Sequence, residues 1–440
     1  MRAPARIPRD VLVIAWGALV LSLVVREVWV FAVQSPYGTI YSDMSGYVEK
    51  ARELVDGVPR VYPRLRAFYP YGTHYVLALL FKVLGEDHDV RVRVVYAALA
   101  SFPAFHFVLL ASRIVRGTTA LAFLGVAFAL WQPIVWVVGF FVSEVPFLWL
   151  LYWNAWLAVQ FAETRRGGLR LGVTSAILFA VRPQFVLTFA FMTVLYALDR
   201  GPLLLRRHAF GAYARVLVPW IAVLAFSAAR LHALSGRWGL ISENSGLNRV
   251  LSDTTYSRVD ARWTSSDGGS YYFWISAPAK EPVHESGALA IAGYIGDGEL
   301  LDVERRKFLA DKSLSWRVRR AFRNVQLLWL HNDPWPEDEL TRPPPRHELQ
   351  KGFNAALRHV VLPLAAVGLF TARRRAALAI VFAHLLTLIG LAMFFFPEAR
   401  YRVPYDPMLL LLALAGVLGM VDLVRQKVNA ASAARSGGSL

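Results

Sequence analysis

The stretch VLVIAWGALVLSLVVREVWVFAV, residues 11–33, decides the fold class because it is an almost unbroken apolar run. At about 1.5 Å per residue, a helix of this length crosses the roughly 30 Å of hydrocarbon in a bilayer. Comparable runs recur along the whole chain, at 92–115, 118–138, 216–234, 376–396 and 408–424. The sequence therefore predicts an all-α polytopic membrane protein whose first segment is a retained helix rather than a cleaved signal.

The composition supports this class and excludes others. Hydrophobic residues make up 56% of the 440 residues and charged residues only 18%, below the usual quarter of a soluble domain. The net charge of +17 comes from short basic clusters between the apolar runs, whereas the stretch 236–351 balances its acids against its bases. This distribution is typical of cytoplasmic loops in membrane proteins rather than of nucleic-acid binding. The chain has no cysteine, which excludes disulfides and thiol chemistry.

The basic clusters predict a topology with both chain ends in the cytoplasm and about ten transmembrane helices. Residues 71–85 form an apolar stretch too short to span comfortably, so we place it at the outer surface, or as a re-entrant helix, within an external loop at 34–90. Residues 169–198 are long enough for two short spans, broken at Arg182-Pro183 near the outer surface. The charge pattern alone leaves the span count open around 71–90 and 169–198.

The predicted organisation has four parts. Residues 1–235 form an N-terminal transmembrane module that carries the first external loop, and 236–355 form a small mixed cap domain outside the membrane. Residues 356–426 hold the last transmembrane helices, and 427–440 form a disordered tail of small and polar residues. We expect the chain to lie in the inner (plasma) membrane, with its external side in the periplasm.

Five ionisable residues converge on the outer side of this topology: Asp43, Glu144, Arg182, Arg400 and Arg402. Ionisable groups in or beside a membrane span are candidates for function. Each also has a structural interpretation, since the acids can cap helix N-termini and the arginines can pair with acids or anchor at headgroups. Arginine forks suit a phosphate group, and a carboxylate beside them can take a proton from a hydroxyl. Together these groups suit inverting transfer of a sugar from a lipid phosphate to an acceptor hydroxyl.

Short motifs follow one another in a definite order along the chain. The acid of the first external loop begins a pattern of Asp, Tyr, Ala, Leu and Gly, followed by an aromatic-Pro-aromatic-Gly element and a Leu-Phe pair. An acid after the third or fourth span, an Arg-Pro pair in a split span and an Arg-Tyr-Arg-x-Pro segment complete the order. The residues are Asp43, Tyr47, Ala51, Leu54 and Gly57; Tyr69-Pro-Tyr-Gly72; Leu80-Phe81 and Gly85; Glu144; Arg182-Pro183; and Arg400 to Pro404.

This order resembles the C-type (GT-C) glycosyltransferase superfamily, and within it the protein O-mannosyltransferase and lipid A aminoarabinose transferase branch (glycosyltransferase family 39-like). The likeness covers most of 10–205 and 390–425 and extends only loosely to 236–355. Many relatives carry a second acid directly after the first-loop Asp, where this chain has Met44. The resemblance implies a GT-C fold and a polyprenyl-phosphate-linked sugar as donor.

The resemblance also implies roles for individual residues. Asp43 is the expected catalytic base and Glu144 a supporting acid, while Arg400, Arg402 and Arg182 are expected to bind the donor phosphate. We further predict donor or acceptor contacts from aromatic and histidine side chains of the first external loop, namely Tyr47, Tyr69, Tyr71 and His74. Neither a metal nor a cofactor is expected, because arginines can serve a monophosphate leaving group and no Asp/Glu/His cluster has ligand spacing.

The predicted function is a membrane glycosyltransferase that acts on the outer face and inverts the anomeric carbon. Its predicted partners are the lipid-linked donor, membrane lipids and a lipid, glycan or protein acceptor, with no nucleic acid. Three alternatives stay open: a transporter or flippase of lipid-linked sugars, a ligase-type transferase that uses a polyprenyl-diphosphate-linked glycan, and a non-catalytic scaffold. The sequence does not distinguish the sugar, the acceptor class, the prenyl chain length or the oligomeric state.

Overall fold

A computed structural model describes residues 7–40, 43–61, 65–86, 89–200, 207–254, 258–264, 270–275, 288–294, 296–330, 344–371 and 375–436. The regular elements among the described residues of the N-terminal half are all helices. Its helices are α1 (Arg9–Ala32), α2 (Asp43–Asp56), α3 (Leu65–Phe68), α4 (Gly72–Leu84), α5 (Asp89–Ser101), α6 (Pro103–Ala111), α7 (Thr118–Leu130), α8 (Gln132–Val137), α9 (Glu144–Thr164), α10 (Gly168–Val181), α11 (Phe185–Arg200) and α12 (Arg207–Ser235).

The C-terminal half combines helices with a small sheet. Its elements are α13 (Ser245–Asp253), β1 (Arg258–Thr264), β2 (Ser270–Ile275), β3 (Ala288–Ala292), α14 (Gly298–Leu309), α15 (Leu314–Leu330), α16 (Pro344–Ala356), α17 (Leu362–Thr371), α18 (Arg375–Phe394) and α19 (Asp406–Ser436). A π-helical turn, Leu357–Val361, joins α16 to α17, and two 3-10 turns, Ala399–Tyr401 and Val403–Tyr405, precede α19.

Seven helical segments of the described chain are long and apolar enough to cross a membrane, by length and composition. They are Arg9–Ala32, Asp89–Ala111, Glu144–Thr164, Gly211–Ser235, Lys351–Thr371, Ala376–Phe394 and Ala399–Ala430. Four shorter apolar helices accompany them: Gly72–Leu84, Thr118–Leu130, Gly168–Val181 and Phe185–Val194. The prediction of a predominantly helical, integral membrane protein is confirmed at this level.

Prolines set several of the helix boundaries. The apolar stretch at 169–198 divides into α10 and α11 at Arg182-Pro183, as predicted, because a proline cannot donate the backbone hydrogen bond that would continue the helix. The stretch at 92–112 also divides, with Pro103 at the first position of α6, so the expected single span consists of two helices in succession. The element at 71–85 forms the short helix α4.

The region after α12 contains a three-stranded sheet in the order β2-β1-β3. Strand β1 runs antiparallel to β2, with Val259 opposite Ile275, and parallel to β3, with Val259 opposite Leu289. Beside it, an apolar cluster joins α13 and α14 to α3 of the first loop, and its buried members are Phe68, Leu247, Val250, Leu251 and Leu301. This cluster packs α13 and α14 against the first-loop segment that carries Phe68.

The prediction of a disordered tail at 427–440 is wrong over most of its length. Helix α19 continues through Ser436, and only residues 437–440 lie outside the described part. Four of the tail's residues are alanines, Ala430, Ala431, Ala433 and Ala434. Alanine has the highest intrinsic helix propensity, so these residues continue the helix instead of ending it.

Candidate active site

Asp43 is the first residue of α2, where a carboxylate interacts favourably with the positive end of the helix dipole. Its Oδ1 accepts a hydrogen bond of 2.9 Å from the Tyr69 hydroxyl, and its Oδ2 accepts one of 2.8 Å from Nη2 of Arg400. Two donors therefore fix the carboxylate. The Asp43 side chain is still 23% exposed, so a substrate can reach it.

Two glycines explain how Tyr69 reaches this carboxylate. A Cβ on Gly46, one turn into α2, would lie 2.7 Å from Cε2 of Tyr69, so only glycine leaves room for the ring against α2. A Cβ on Gly72 would lie 2.5 Å from the backbone nitrogen of Val181, so the other end of the Tyr69-Pro-Tyr-Gly72 element lies directly against α10. The aromatic-Pro-aromatic-Gly element is therefore held between α2 and the break that carries Arg182.

Glu144 and Arg182 form an ion pair that is almost completely buried. Glu144 is the first residue of α9, and Arg182 lies in the break between α10 and α11. Nη2 of Arg182 donates to Oε1 of Glu144, and its Nε donates to the Ser143 hydroxyl at 3.0 Å. The Arg182 guanidinium also lies over the ring of Tyr401, at 5.2 Å from the centroid.

Arg400 links this buried pair to Asp43. Its Nε donates to Oε2 of Glu398 at 2.7 Å and lies 3.9 Å from Oε1 of Glu144, while Nη2 holds Asp43. Four of the five ionisable residues singled out in the sequence thus come together from four separate parts of the chain, and Glu398 joins them. With every group ionised, three carboxylates face two guanidiniums, so the acidic cluster (Asp43, Glu144, Arg182, Glu398 and Arg400) carries no surplus positive charge.

Arg402, the fifth predicted residue, lies outside the acidic cluster, in a buried ion pair of its own. It is 1% exposed, and its Nε donates to Oδ1 of Asp406 at 2.9 Å. Its Nη1 donates to the carbonyl of Leu328 in α15 at 2.8 Å, and Oδ2 of Asp406 accepts from the indole of Trp131. Asp406 follows Arg402 by four residues, and this pair fastens the start of α19 to α15 and to the end of α7.

A second group of cations lies on the other side of Tyr69. Nζ of Lys50, a buried residue of α2, is 5.1 Å from the centroid of the Tyr69 ring. Arg230 lies over the Tyr71 ring at 5.1 Å and donates to the carbonyl of Arg66, which itself pairs with Glu53. Burial, helped by Arg230 and opposed by Glu53, lowers the pKa of Lys50 to about 7. We call Lys50, Arg66 and Arg230 the cation cluster. His74 lies beside it as a neutral side chain, because burial and the nearby Lys50 and Arg230 lower its pKa well below the usual value.

Donor atoms of the cation cluster are unused within the described part of the chain. Nζ of Lys50, Nε of Arg66 and Nη1 of Arg230 are buried and have no hydrogen-bond partner there, and neither has Nδ1 of the neighbouring His74. Burying such donors is costly unless something accepts from them. The predicted contact residues lie near different clusters. The Tyr47 ring packs at a tilt against Tyr69 near Asp43, whereas the Tyr71 hydroxyl is hydrogen-bonded to Ser227 beside the cation cluster.

The sequence analysis did not single out Lys50, Arg66, Arg230 or Glu398 as site residues. Glu398 had a usable signal, because it stands two residues before Arg400 in the same external segment. Lys50 and Arg66 had none, because they occur among other charges of a polar loop and resemble solvated surface residues.

The position of Glu398 predicts a pH effect on stability. Burial raises the pKa of Glu398 to about 7, with Arg400 opposing and Asp43 adding to the rise. Between the ordinary value of 4.5 and about 7, the folded chain keeps a proton that the unfolded chain has lost, so stability falls as the pH rises through this window. We expect the free energy of unfolding of the wild type to decline relative to that of Glu398→Gln from about pH 4.5 to 7. A difference between the two proteins that stays constant over this range would contradict the assignment.

The residues the structure describes contain no group of three or more His, Asp or Glu side chains placed to hold a metal ion. The acidic cluster and the cation cluster adjoin at Tyr69, whose hydroxyl donates to Asp43 and whose ring lies beside Nζ of Lys50. A scan against protein-family models and a search of curated proteins found no match to this chain.

Proposed function

We propose that the chain is a membrane glycosyltransferase that moves a sugar from a polyprenyl-phosphate donor to an acceptor hydroxyl, with inversion at the anomeric carbon. One observation carries this proposal. A reachable carboxylate, Asp43, is fixed by Tyr69 and Arg400, and buried cations with unused donors lie behind the same tyrosine. A base beside an anion-binding group, at the end of apolar helices, suits a reaction whose leaving group is a phosphate on a lipid.

In the proposed reaction, Asp43 accepts the proton of the acceptor hydroxyl as that oxygen bonds to the anomeric carbon. The bond between the anomeric carbon and the phosphate oxygen breaks, and its electron pair leaves with the polyprenyl phosphate. Tyr69 and Arg400 each donate to a different oxygen of Asp43, so they fix the carboxylate in one orientation. Positioning of this kind is a major part of the rate advantage of an enzyme.

The cation cluster is the better candidate for binding the donor phosphate. Arg182 and Arg400 already face carboxylates, so a phosphate there would compete with Glu144, Glu398 and Asp43. Lys50, Arg66 and Arg230 have donor atoms to spare, although Glu53 pairs with Arg66 and acts on Lys50. We therefore assign Arg400 to positioning Asp43, Arg182 to positioning Glu144, and the cation cluster to the phosphate. Charge-assisted donors of this kind are the strong ones.

The proposal includes a topology of ten spans. Helices α7, α10 and α11 would add three spans to the seven longer segments, because they pack along α1, α12 and α18, respectively. Helix α4 packs against the polar helix α2, which favours a position at the outer surface over a span across the membrane. With the N-terminus in the cytoplasm, both clusters would face the periplasm, beneath a cap formed by 236–355, in the inner membrane.

A binding measurement tests the phosphate assignment. The purified protein should bind a short-chain polyprenyl phosphate more tightly than the polyprenol of equal chain length. Lys50→Gln and Arg230→Gln should each weaken binding of the phosphate by roughly ten- to a hundredfold and leave binding of the polyprenol unchanged, because each removes a charged donor. Arg60→Gln is the matched control, since Arg60 is an exposed partner of Asp56 in the same loop. Equal affinity for the phosphate and the alcohol would refute the assignment.

A further inference from the structure

Helix α15 has two separate apolar faces. One face is buried and packs against the rest of the chain, through Leu327 and Leu328 with the polar Asn324 between them. The other face is exposed: Leu314, Val318 and Phe322 are spaced by four residues and are 76%, 47% and 60% exposed. Residues four apart lie on one side of a helix, so these three form a continuous apolar stripe.

Exposed arginines flank this stripe on both sides. Arg319 and Arg323, again four residues apart, lie along one edge, and Arg317 lies along the other. At 100° per residue, the stripe occupies about 80° of the helix circumference, and these arginines lie about 60–100° beyond its edges. An apolar stripe between basic edges is the pattern of a helix that lies in the plane of a membrane interface.

The place of α15 in the fold agrees with this pattern. Helix α15 packs against α18, whose last residue Phe394 is 65% exposed, as expected of a lipid-facing side chain. The carbonyls of Leu328 and Leu330 at the C-terminal end of α15 accept from Arg402 and Arg358, respectively. The helix is thus fastened to the end of the transmembrane bundle by one face and one end, while its apolar stripe points away from the protein.

We propose that α15 docks on the outer leaflet of the membrane, with the stripe among the acyl chains and with Arg317, Arg319 and Arg323 at acidic lipid headgroups. This inference concerns a surface outside both clusters and does not depend on the glycosyltransferase proposal. A lipid surface fits both halves of the pattern, because apolar side chains enter the acyl region while arginines bind phosphates above it. The stripe also belongs to a helix that packs against α18, whose exposed last residue, Phe394, suits a position facing lipid.

Spin labels can locate the helix, and the absence of native cysteine makes single labels simple to place. Val318→Cys and Phe322→Cys would carry a nitroxide in vesicles of phosphatidylcholine with phosphatidylglycerol. We expect both labels to be more accessible to oxygen than to a water-soluble nickel complex, at a depth of about 5–10 Å. Ala310→Cys, at an exposed position before α15, is the matched control and should show the reverse preference.

Three results would overturn the proposal. Labels at Val318 and Phe322 that are as accessible to nickel as the Ala310 label would place the stripe in water. Labels shielded from both reagents would mean that a protein, such as a second copy of this chain, covers the stripe. A depth that changes neither when phosphatidylglycerol is omitted nor in the Arg319→Gln/Arg323→Gln background would refute the headgroup contacts.

Discussion

Replacing Asp43 with asparagine should lower the rate of sugar transfer by about 10²–10⁴-fold, the range expected for loss of a general base. The amide keeps the size of the side chain, and its oxygen can still accept from the Tyr69 hydroxyl, but its NH2 group cannot accept from Arg400, so that hydrogen bond is lost. The capacity to take a proton from the acceptor is lost as well. The readout is release of polyprenyl phosphate by the purified protein from a panel of polyprenyl-phosphate hexoses and pentoses.

The matched control is Asp56→Asn, which removes an acid at the other end of the same helix. Asp56 pairs with the exposed Arg60 and lies outside both clusters, so turnover should stay near that of the wild type. Donor affinity should change little in Asp43→Asn, because the cation cluster is untouched. Near-normal turnover by Asp43→Asn would refute the assignment of the base.

Replacing Arg402 with methionine should destabilise the fold by about 3–5 kcal/mol, because it leaves the carboxylate of Asp406 buried without its counter-ion. Both side chains are almost fully buried, and the guanidinium also satisfies backbone carbonyls of α15. The double variant Arg402→Met/Asp406→Leu should recover much of this loss, since it removes the isolated charge. The free energy of unfolding in mixed micelles measures both effects.

Arg400→Met is the informative comparison, because it lies two residues away and faces the acidic cluster. We expect it to lower turnover through loss of the hold on Asp43 and to cost less stability than Arg402→Met, since its side chain and that of Asp43 are partly exposed. A stable Arg402→Met variant that had lost only affinity for the phosphate would restore the role first predicted for Arg402.

The transmembrane part of the fold was accessible from sequence because the length of an apolar run directly reflects the thickness of the bilayer. The grouping of Asp43, Glu144, Arg182 and Arg400 followed from the predicted topology. Charge bias predicts all four on one side of the membrane once 71–85 is kept out of the bilayer and 169–198 is divided at Pro183. The break at Pro183 followed from the missing backbone donor of proline. In each case a single physical constraint acts on a short stretch of chain.

Other features depend on contacts between distant segments. Arg400 and Arg402 look equivalent in sequence, but the 3-10 turn directs one to Asp43 and the other to Asp406. The cation cluster combines α2, α3 and α12, and nothing in the sequence near Lys50 indicates that Arg230 will lie beside it. The tail was misjudged because composition suggested disorder while the helix propensity of alanine favoured continuation of α19.

The stereochemistry of the product tests the central claim most directly. In a single displacement assisted by Asp43, the acceptor oxygen attacks from the side opposite the departing phosphate. Nuclear magnetic resonance of the glycoside formed by the purified protein should therefore show the anomeric configuration opposite to that of the polyprenyl-phosphate donor. A product that retains the donor configuration would contradict the mechanism proposed for Asp43.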